Sequence, residues 1–229
     1  MPRIYASLTR HGVYHQPADT PSAHLPHPLT EEGEAQARAA GGKLVAIAEE
    51  RGWDVHPIVH CSSLLRAWQT AGGLIETAAR GASMHRVATP LLAERSVGSM
   101  ANLTLAQIDA VVAKDPRYEP LPPRWKSRSE FKLPFPGAES LLEAGTRCGA
   151  YIDGVCADVA RRVERDTVVV FVGHGGALRH AAVHLGVLSV AQAPTISMWH
   201  ASSVYLERRA DGAWTHAAGA WKPRSKPLA

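Results

Sequence analysis

Thr167-Val168-Val169-Val170-Phe171-Val172-Gly173-His174-Gly175-Gly176 is the stretch on which the fold turns. Its first six residues are almost continuously apolar and β-branched, as expected of a strand buried on both faces of a parallel sheet. The glycine-flanked histidine that follows makes a tight turn into a helix predicted to run to about His184. Upstream, Leu141, Gly145, Cys148, Ile152, Val155, Val159 and Val163 recur in steps of four and three. That spacing predicts a long helix with one apolar face, starting just after Pro136-Gly137.

The same alternation extends to both ends of the chain. Arg3 to Thr9 reads as a first strand, and a loop from Val13 to Leu29 follows with four prolines and three histidines. Thr30 is a predicted N-cap with Glu31 and Glu32 in the first helical turn, and Gly52 is the predicted stop. Ala37, Ala40, Leu44, Ile47 and Ala48 give that helix its buried face. Val55 to Cys61 is a second strand, Leu64 to Ala79 a helix, and Met84 to Ala88 a short third strand. Residues 89–136 are weakly patterned, with a helix near Thr104 to Lys114 and a proline-rich run, and read as an insertion covering the domain. Ser202 to Glu207 is read as the final strand, and Lys222 to Ala229 as a frayed tail. Strands alternating with helices predict an α/β protein, a three-layer α/β/α sandwich with a mostly parallel central sheet.

In such sheets ligands bind outside the carboxyl ends of the strands. Three strands deliver polar residues there: Arg10-His11-Gly12, Ser62-Ser63-Leu64-Leu65-Arg66-Ala67 and Gly173-His174-Gly175-Gly176. Two arginines and two histidines on one spot suit a phosphate group. Arginine offers a planar fork of donors that stays charged. A neutral imidazole is a competent nucleophile near neutral pH, and the helix N-termini add N–H donors for an anion.

These segments resemble, in the same order, the signature blocks of the histidine phosphatase (phosphoglycerate mutase-like) superfamily. The matching blocks are Leu8-Thr9-Arg10-His11-Gly12, Leu29-Thr30-Glu31-Glu32-Gly33, Ser63 to Ala71 with its Arg66-Ala67-Trp68-Gln69-Thr70, and Val172 to Gly176. Pro136-Gly137-Ala138-Glu139-Ser140 resembles a helix start of the same family. The resemblance implies one domain over residues 1–229 with an insertion or cap at about 89–136. It implies His11 as phosphate acceptor, with Arg10, Arg66, His174 and the Gly175 and Gly176 backbone around the phosphate. It places the proton donor at Glu94, in Leu91-Leu92-Ala93-Glu94-Arg95-Ser96-Val97-Gly98, and implies no metal and no cofactor. One departure stands out: where the family often has an asparagine, seven residues after the signature arginine, this chain has Pro17. Tyr14, His15 and Gln16 are the candidates to replace it.

The expected activity is hydrolysis of a small phosphorylated substrate, a phosphomonoester, through phosphohistidine. The alternatives are a phosphoglycerate-type phosphomutase and a non-catalytic phosphate-sensing or protein-binding module. Pro17, and the want of an extended basic platform for a bisphosphate, weigh against the mutase. The other totals mostly exclude. A net charge of +4 suits a small anion, but no basic run interleaved with aromatics points to nucleic acid. No apolar run is long enough to span a membrane, and MPRIYASLTR has no signal-peptide core, so a cytoplasmic protein is expected. Cys61, Cys148 and Cys156 form no close pair and read as small buried residues. The histidines His15, His24 and His27 lack a companion carboxylate or cysteine pattern and read as solvated. Gly173-His174-Gly175-Gly176 fails as a dinucleotide fingerprint, because its third glycine would fall at Leu178. Trp125, Trp199 and Trp214 read as packing or loop residues, and a homodimer stays open.

Overall fold

The computed structural model describes residues 2–21, 24–81 and 83–224. In chain order its strands and helices are β1 (Ile4–Arg10), α1 (Glu31–Arg51), β2 (Asp54–Ser62), α2 (Leu65–Ala78), β3 (His85–Thr89), α3 (Leu105–Lys114), α4 (Leu141–Ala160), β4 (Thr167–Gly173), α5 (Gly175–His184), β5 (Ile196–Ser197), β6 (Ser203–Arg208), β7 (Trp214–Ala218) and β8 (Lys222–Pro223).

Six strands form one sheet in the order β3-β2-β4-β1-β6-β7. The first four run parallel, and β6 and β7 add an antiparallel edge. The alternation of side chains builds a core on each face. Ile4, Ala6 and Leu8 of β1 with Val169 and Phe171 of β4 pack against α4 and α5. Tyr5 with Val168, Val170 and Val172 packs against α1 and α2. Strand β4 is therefore covered on both sides, which is why its sequence does not alternate with polar residues. A separate cluster, Val97, Ile108, Trp125, Leu133 and Ala138, holds the segment that follows β3.

Local signals account for the helix ends. Thr30 accepts the Gly33 N–H at 3.1 Å, and Gly52 closes α1 in the left-handed conformation at φ 68°. Ser140 and Glu143 form a reciprocal capping box at the start of α4. The three cysteines are buried thiols, raised by burial to about 11 for Cys61 and about 12 for Cys148.

Two expectations need correction. Ser203–Arg208 is not the last strand. The chain turns back through β7, and Lys222–Pro223 then pairs with Ile196–Ser197. The predicted frayed tail is thus ordered through Arg224, whose N–H donates to the Thr195 carbonyl at 3.1 Å. Residues 225–229 of that expected tail lie outside the described residues.

The sharp approach of α1 to the loop after β1 depends on two glycines. A Cβ on Gly33 would sit 1.9 Å from the Val13 carbonyl oxygen, and one on Gly12 2.6 Å from the Gly33 oxygen. Both neighbours are backbone and cannot rotate away. Gly33→Ala is expected to cost about 1–3 kcal/mol, the usual penalty for overpacking. Urea unfolding measures it, and an unchanged midpoint would mean that this contact is not made.

Candidate active site

The β1–β4 register pairs Arg10 with Gly173, and Cys61 of β2 lies opposite Val172. His11, His174 and Ser62 therefore leave three neighbouring strands at one level. His11 is 3% exposed, and Arg66 and His174 are fully buried. The imidazole rings of His11 and His174 lie 5.1 Å apart, centroid to centroid.

The hydrogen bonds determine the tautomers. His11 Nδ1 lies 2.7 Å from the Gly12 carbonyl oxygen, which can only accept, so Nδ1 carries the proton. Nε2 keeps its lone pair and accepts from Arg66 Nε at 3.4 Å. His174 is the opposite case. Its Nδ1 accepts from Arg66 Nη2 at 3.2 Å, so Nε2–H donates to Ser62 Oγ at 2.9 Å. Burial, then the Arg66 guanidinium, pushes both histidines well below their ordinary value of 6.5. Both are neutral near pH 7.

The framework around them explains the rest of the Arg66 block. Thr70 Oγ1 accepts the Gly12 N–H at 3.0 Å and donates to the Arg66 carbonyl at 2.7 Å. Gln69 Oε1 accepts the Leu29 N–H at 2.9 Å. Arg66 donates to the Leu25 carbonyl at 2.9 Å and lies over the Tyr14 ring at 4.6 Å. The bonds to Gly12, Leu29 and Leu25 tie α2 to the loop that follows His11.

Glu94 faces the same cavity as Arg10 and His11, a space of about 360 Å³. Its carboxylate accepts the Ala177 N–H at 2.9 Å and the Gly176 N–H at 3.1 Å, at the N-terminus of α5. The segment bearing it is held from α4. Arg147 donates to the Ala93 carbonyl at 3.3 Å and pairs with Glu139 at 2.9 Å, and Glu139 in turn accepts the Ser96 N–H at 3.1 Å.

Residues 6–219 match the family model of the histidine phosphatase superfamily, branch 1. The chain belongs to the histidine phosphatase superfamily. Among curated relatives it is 29% identical, over 80% of both chains, to a 2,3-bisphosphoglycerate-dependent phosphoglycerate mutase of Methylobacterium sp. (strain 4-46). A solved mycobacterial glucosyl-3-phosphoglycerate phosphatase is 25% identical, with a TM-score of 0.68 over 95% of this chain and 98% of that one. A structure described as mycobacterial hydrolase 2 shares the fold at 24% identity, with a TM-score of 0.73 over 99% of this chain and 94% of that one.

Within this histidine phosphatase fold the residues expected from sequence separate into two groups. Arg10, His11, Arg66, Glu94, His174 and Gly175 come together, as does Tyr14, whose ring meets His11 edge-on at 5.2 Å. His15 and Gln16 are exposed and do not line the cavity, and Pro17 is exposed as well. The expectation for Gly176 changes too. Its N–H is engaged by Glu94, and a Cβ there would fall 2.6 Å from the Glu94 carboxylate. Glycine at 176 thus makes room for Glu94.

Other residues at the site were not singled out by the sequence. Ser62 orients His174, and His200 lies 5.7 Å from His11, lowered to about 4 by burial and then by Arg10. Arg95, Lys126, Arg179 and Arg224 line the cavity with Arg10. An extended basic platform, expected to be missing, is therefore present. Among the described residues no three His, Cys, Asp or Glu side chains form a metal-holding group, and no helix is long and apolar enough to cross a membrane.

Proposed function

We propose that the protein hydrolyses phosphomonoesters by passing the phosphoryl group through His11. The observation that carries this reading is the Nδ1–H bond to the Gly12 carbonyl, which leaves a neutral imidazole with its Nε2 lone pair beside Arg66. In the first step Nε2 attacks phosphorus, the N–P bond forms, and the ester P–O bond breaks. The leaving alkoxide takes the proton of the Glu94 carboxyl. In the second step water attacks phosphorus, its proton passes to Glu94, and the Nε2–P bond breaks, releasing orthophosphate and neutral His11.

Arg10 and Arg66 would bind the phosphoryl oxygens, which take over the Arg66 N–H groups now directed at the histidines. His174 Nδ1 faces Arg66, and a phosphate dianion there favours its protonation, turning it into a further donor. Gly175 borders the same space, where a Cβ would touch the Arg10 side chain at 3.4 Å. The phosphatase named among the solved structures supports hydrolysis.

Rapid quench with labelled substrate tests the reading. Label is expected on the protein, labile in acid and stable in base, as a phosphohistidine is. A binding module would carry no label, and acid-stable label would place the phosphate on another residue.

A second reading, a phosphoglycerate-type mutase, is favoured by the names of the curated relatives and by the cationic lining of the cavity. Phosphoglycerate isomers with a bisphosphate primer distinguish the two. Isomerisation that outruns phosphate release would replace the hydrolase reading.

A further inference from the structure

His180 sits on α5 one turn past the N–H groups that hold Glu94, and it is 1% exposed. Its buried neighbours Ala177, Leu178, Ala181 and Ala182 are apolar, so an imidazole among them needs a partner for each nitrogen. It has both. Nδ1 lies 2.8 Å from the Gly176 carbonyl oxygen, which can only accept, so Nδ1 carries the proton. Burial pushes His180 below its ordinary 6.5, so Nε2 keeps its lone pair, and the Ser129 hydroxyl donates to it at 3.0 Å. Ser129 is itself buried and lies two residues past the turn Trp125–Ser127, which brings Lys126 and Ser127 to the cavity. Its carbonyl accepts the Leu142 N–H at 3.1 Å, at the start of α4.

The Gly176 carbonyl and the Ala177 N–H belong to one planar peptide group. That N–H donates to Glu94 Oε1 at 2.9 Å. A continuous chain therefore runs from the Ser129 hydroxyl to His180 Nε2, from His180 Nδ1–H to the Gly176 carbonyl, and from the Ala177 N–H to Glu94. Every link points the same way, and aligned links polarise one another. The chain ends on the more engaged carboxylate oxygen. Oε1 also accepts the Arg95 N–H at 2.9 Å, whereas Oε2 accepts the Gly176 N–H at 3.1 Å. With two lone pairs on each oxygen, Oε2 is the one with room for a proton.

We propose that His180 and Ser129 are positioning residues for proton transfer, holding Glu94 through the Gly176–Ala177 peptide so that Oε2 faces the leaving group. This inference rests on the reading of Glu94 as the proton donor. No proton travels along the chain, because each donor keeps its own and the polarised peptide N–H only fixes Oε1. The proton that moves is the one on Oε2, which passes to the leaving oxygen as the P–O bond breaks. Because Ser129 belongs to the segment between β3 and α4, the seating of that segment beside the substrate also sets the aim of Glu94.

A double-mutant cycle tests it. Single-turnover phosphorylation from an alkyl phosphate and from an activated aryl phosphate is measured in Ser129→Ala, in His180→Ala, and in each combined with Glu94→Gln. The alkyl-to-aryl rate ratio is expected to fall about three- to tenfold in either single variant, the worth of one buried hydrogen bond. The aryl rate itself should barely move. In the Glu94→Gln background the same substitutions should leave the ratio where Glu94→Gln alone puts it. Equal slowing of both substrates overturns the inference, since loosened packing would act on both alike. A ratio that falls just as far without the Glu94 carboxyl overturns it too. Ser129→Ala removes only a hydroxyl, so it decides the matter if His180→Ala does not fold. A wild-type ratio in both single variants, with a lowered one in Glu94→Gln, sinks this inference alone. A wild-type ratio in Glu94→Gln sinks the proton-donor reading and this inference with it.

Discussion

His11→Ala is expected to lower phosphate release by about 10⁶-fold, the scale of loss when a catalytic nucleophile is removed, and to abolish the phosphoenzyme. The loss should be confined to chemistry. Arg10, Arg66 and His174 hold their places through the Met198 carbonyl, the Leu25 carbonyl and Ser62, so the variant should still bind inorganic phosphate. Single-turnover kinetics with acid-quench labelling measures the effect. Turnover within about a hundredfold of wild type, or label persisting in the variant, would assign the nucleophile elsewhere.

The same histidine determines an acid limit. Burial, then Arg66 and Arg10, keeps His11 well below 6.5, so the attacking imidazole stays neutral as pH falls through that value. Stability behaves differently. The unfolded chain takes up protons near pH 6.5 that buried His11 and His174 refuse. Their contribution is present above that pH and lost as pH falls toward the folded values.

The parts legible in sequence share one property: a strong local pattern ending at a strand exit. The apolar run to Val172, the β1 segment and the Arg66 block each put polar residues directly after a parallel strand of one sheet, so those residues had to meet at one sheet edge. What stayed hidden is tertiary. Arg179 sits on an otherwise apolar helix face, Lys126 in a proline-rich segment without periodicity, and Arg224 just past a two-residue strand no propensity argument would find. Strand β7, Trp214-Thr215-His216-Ala217-Ala218, lacks the β-branched density of a central strand because it lies at the sheet edge. The loop candidates failed for a related reason. Spacing placed His15 and Gln16 near His11 in sequence, but the chain turns after Tyr14, which pairs with Leu29, and the next residues face solvent.

Glu94→Gln is expected to slow phosphorylation from alkyl phosphates by about 10²–10⁴-fold, the range of general acid–base catalysis. An alkoxide is a poor leaving group, so its departure depends on a proton arriving as the P–O bond breaks. An aryl group with electron-withdrawing substituents leaves as a stable phenolate and needs little help, so its phosphorylation step should change far less. Dephosphorylation is a different matter, because water must lose a proton whichever substrate loaded the enzyme. With an activated aryl phosphate the variant should therefore accumulate phosphohistidine, giving a burst of phenolate of about one equivalent per site and a slow steady state. The substitution also perturbs structure. Glu94 accepts the Gly176 and Ala177 N–H groups with different oxygens, and an amide can satisfy only one of them through its carbonyl. A purely structural loss would slow both substrates alike, so the alkyl-to-aryl rate ratio and the burst amplitude separate the two effects. Equal slowing with no phosphoenzyme would make Glu94 a cap for α5 and leave the proton transfer to another group.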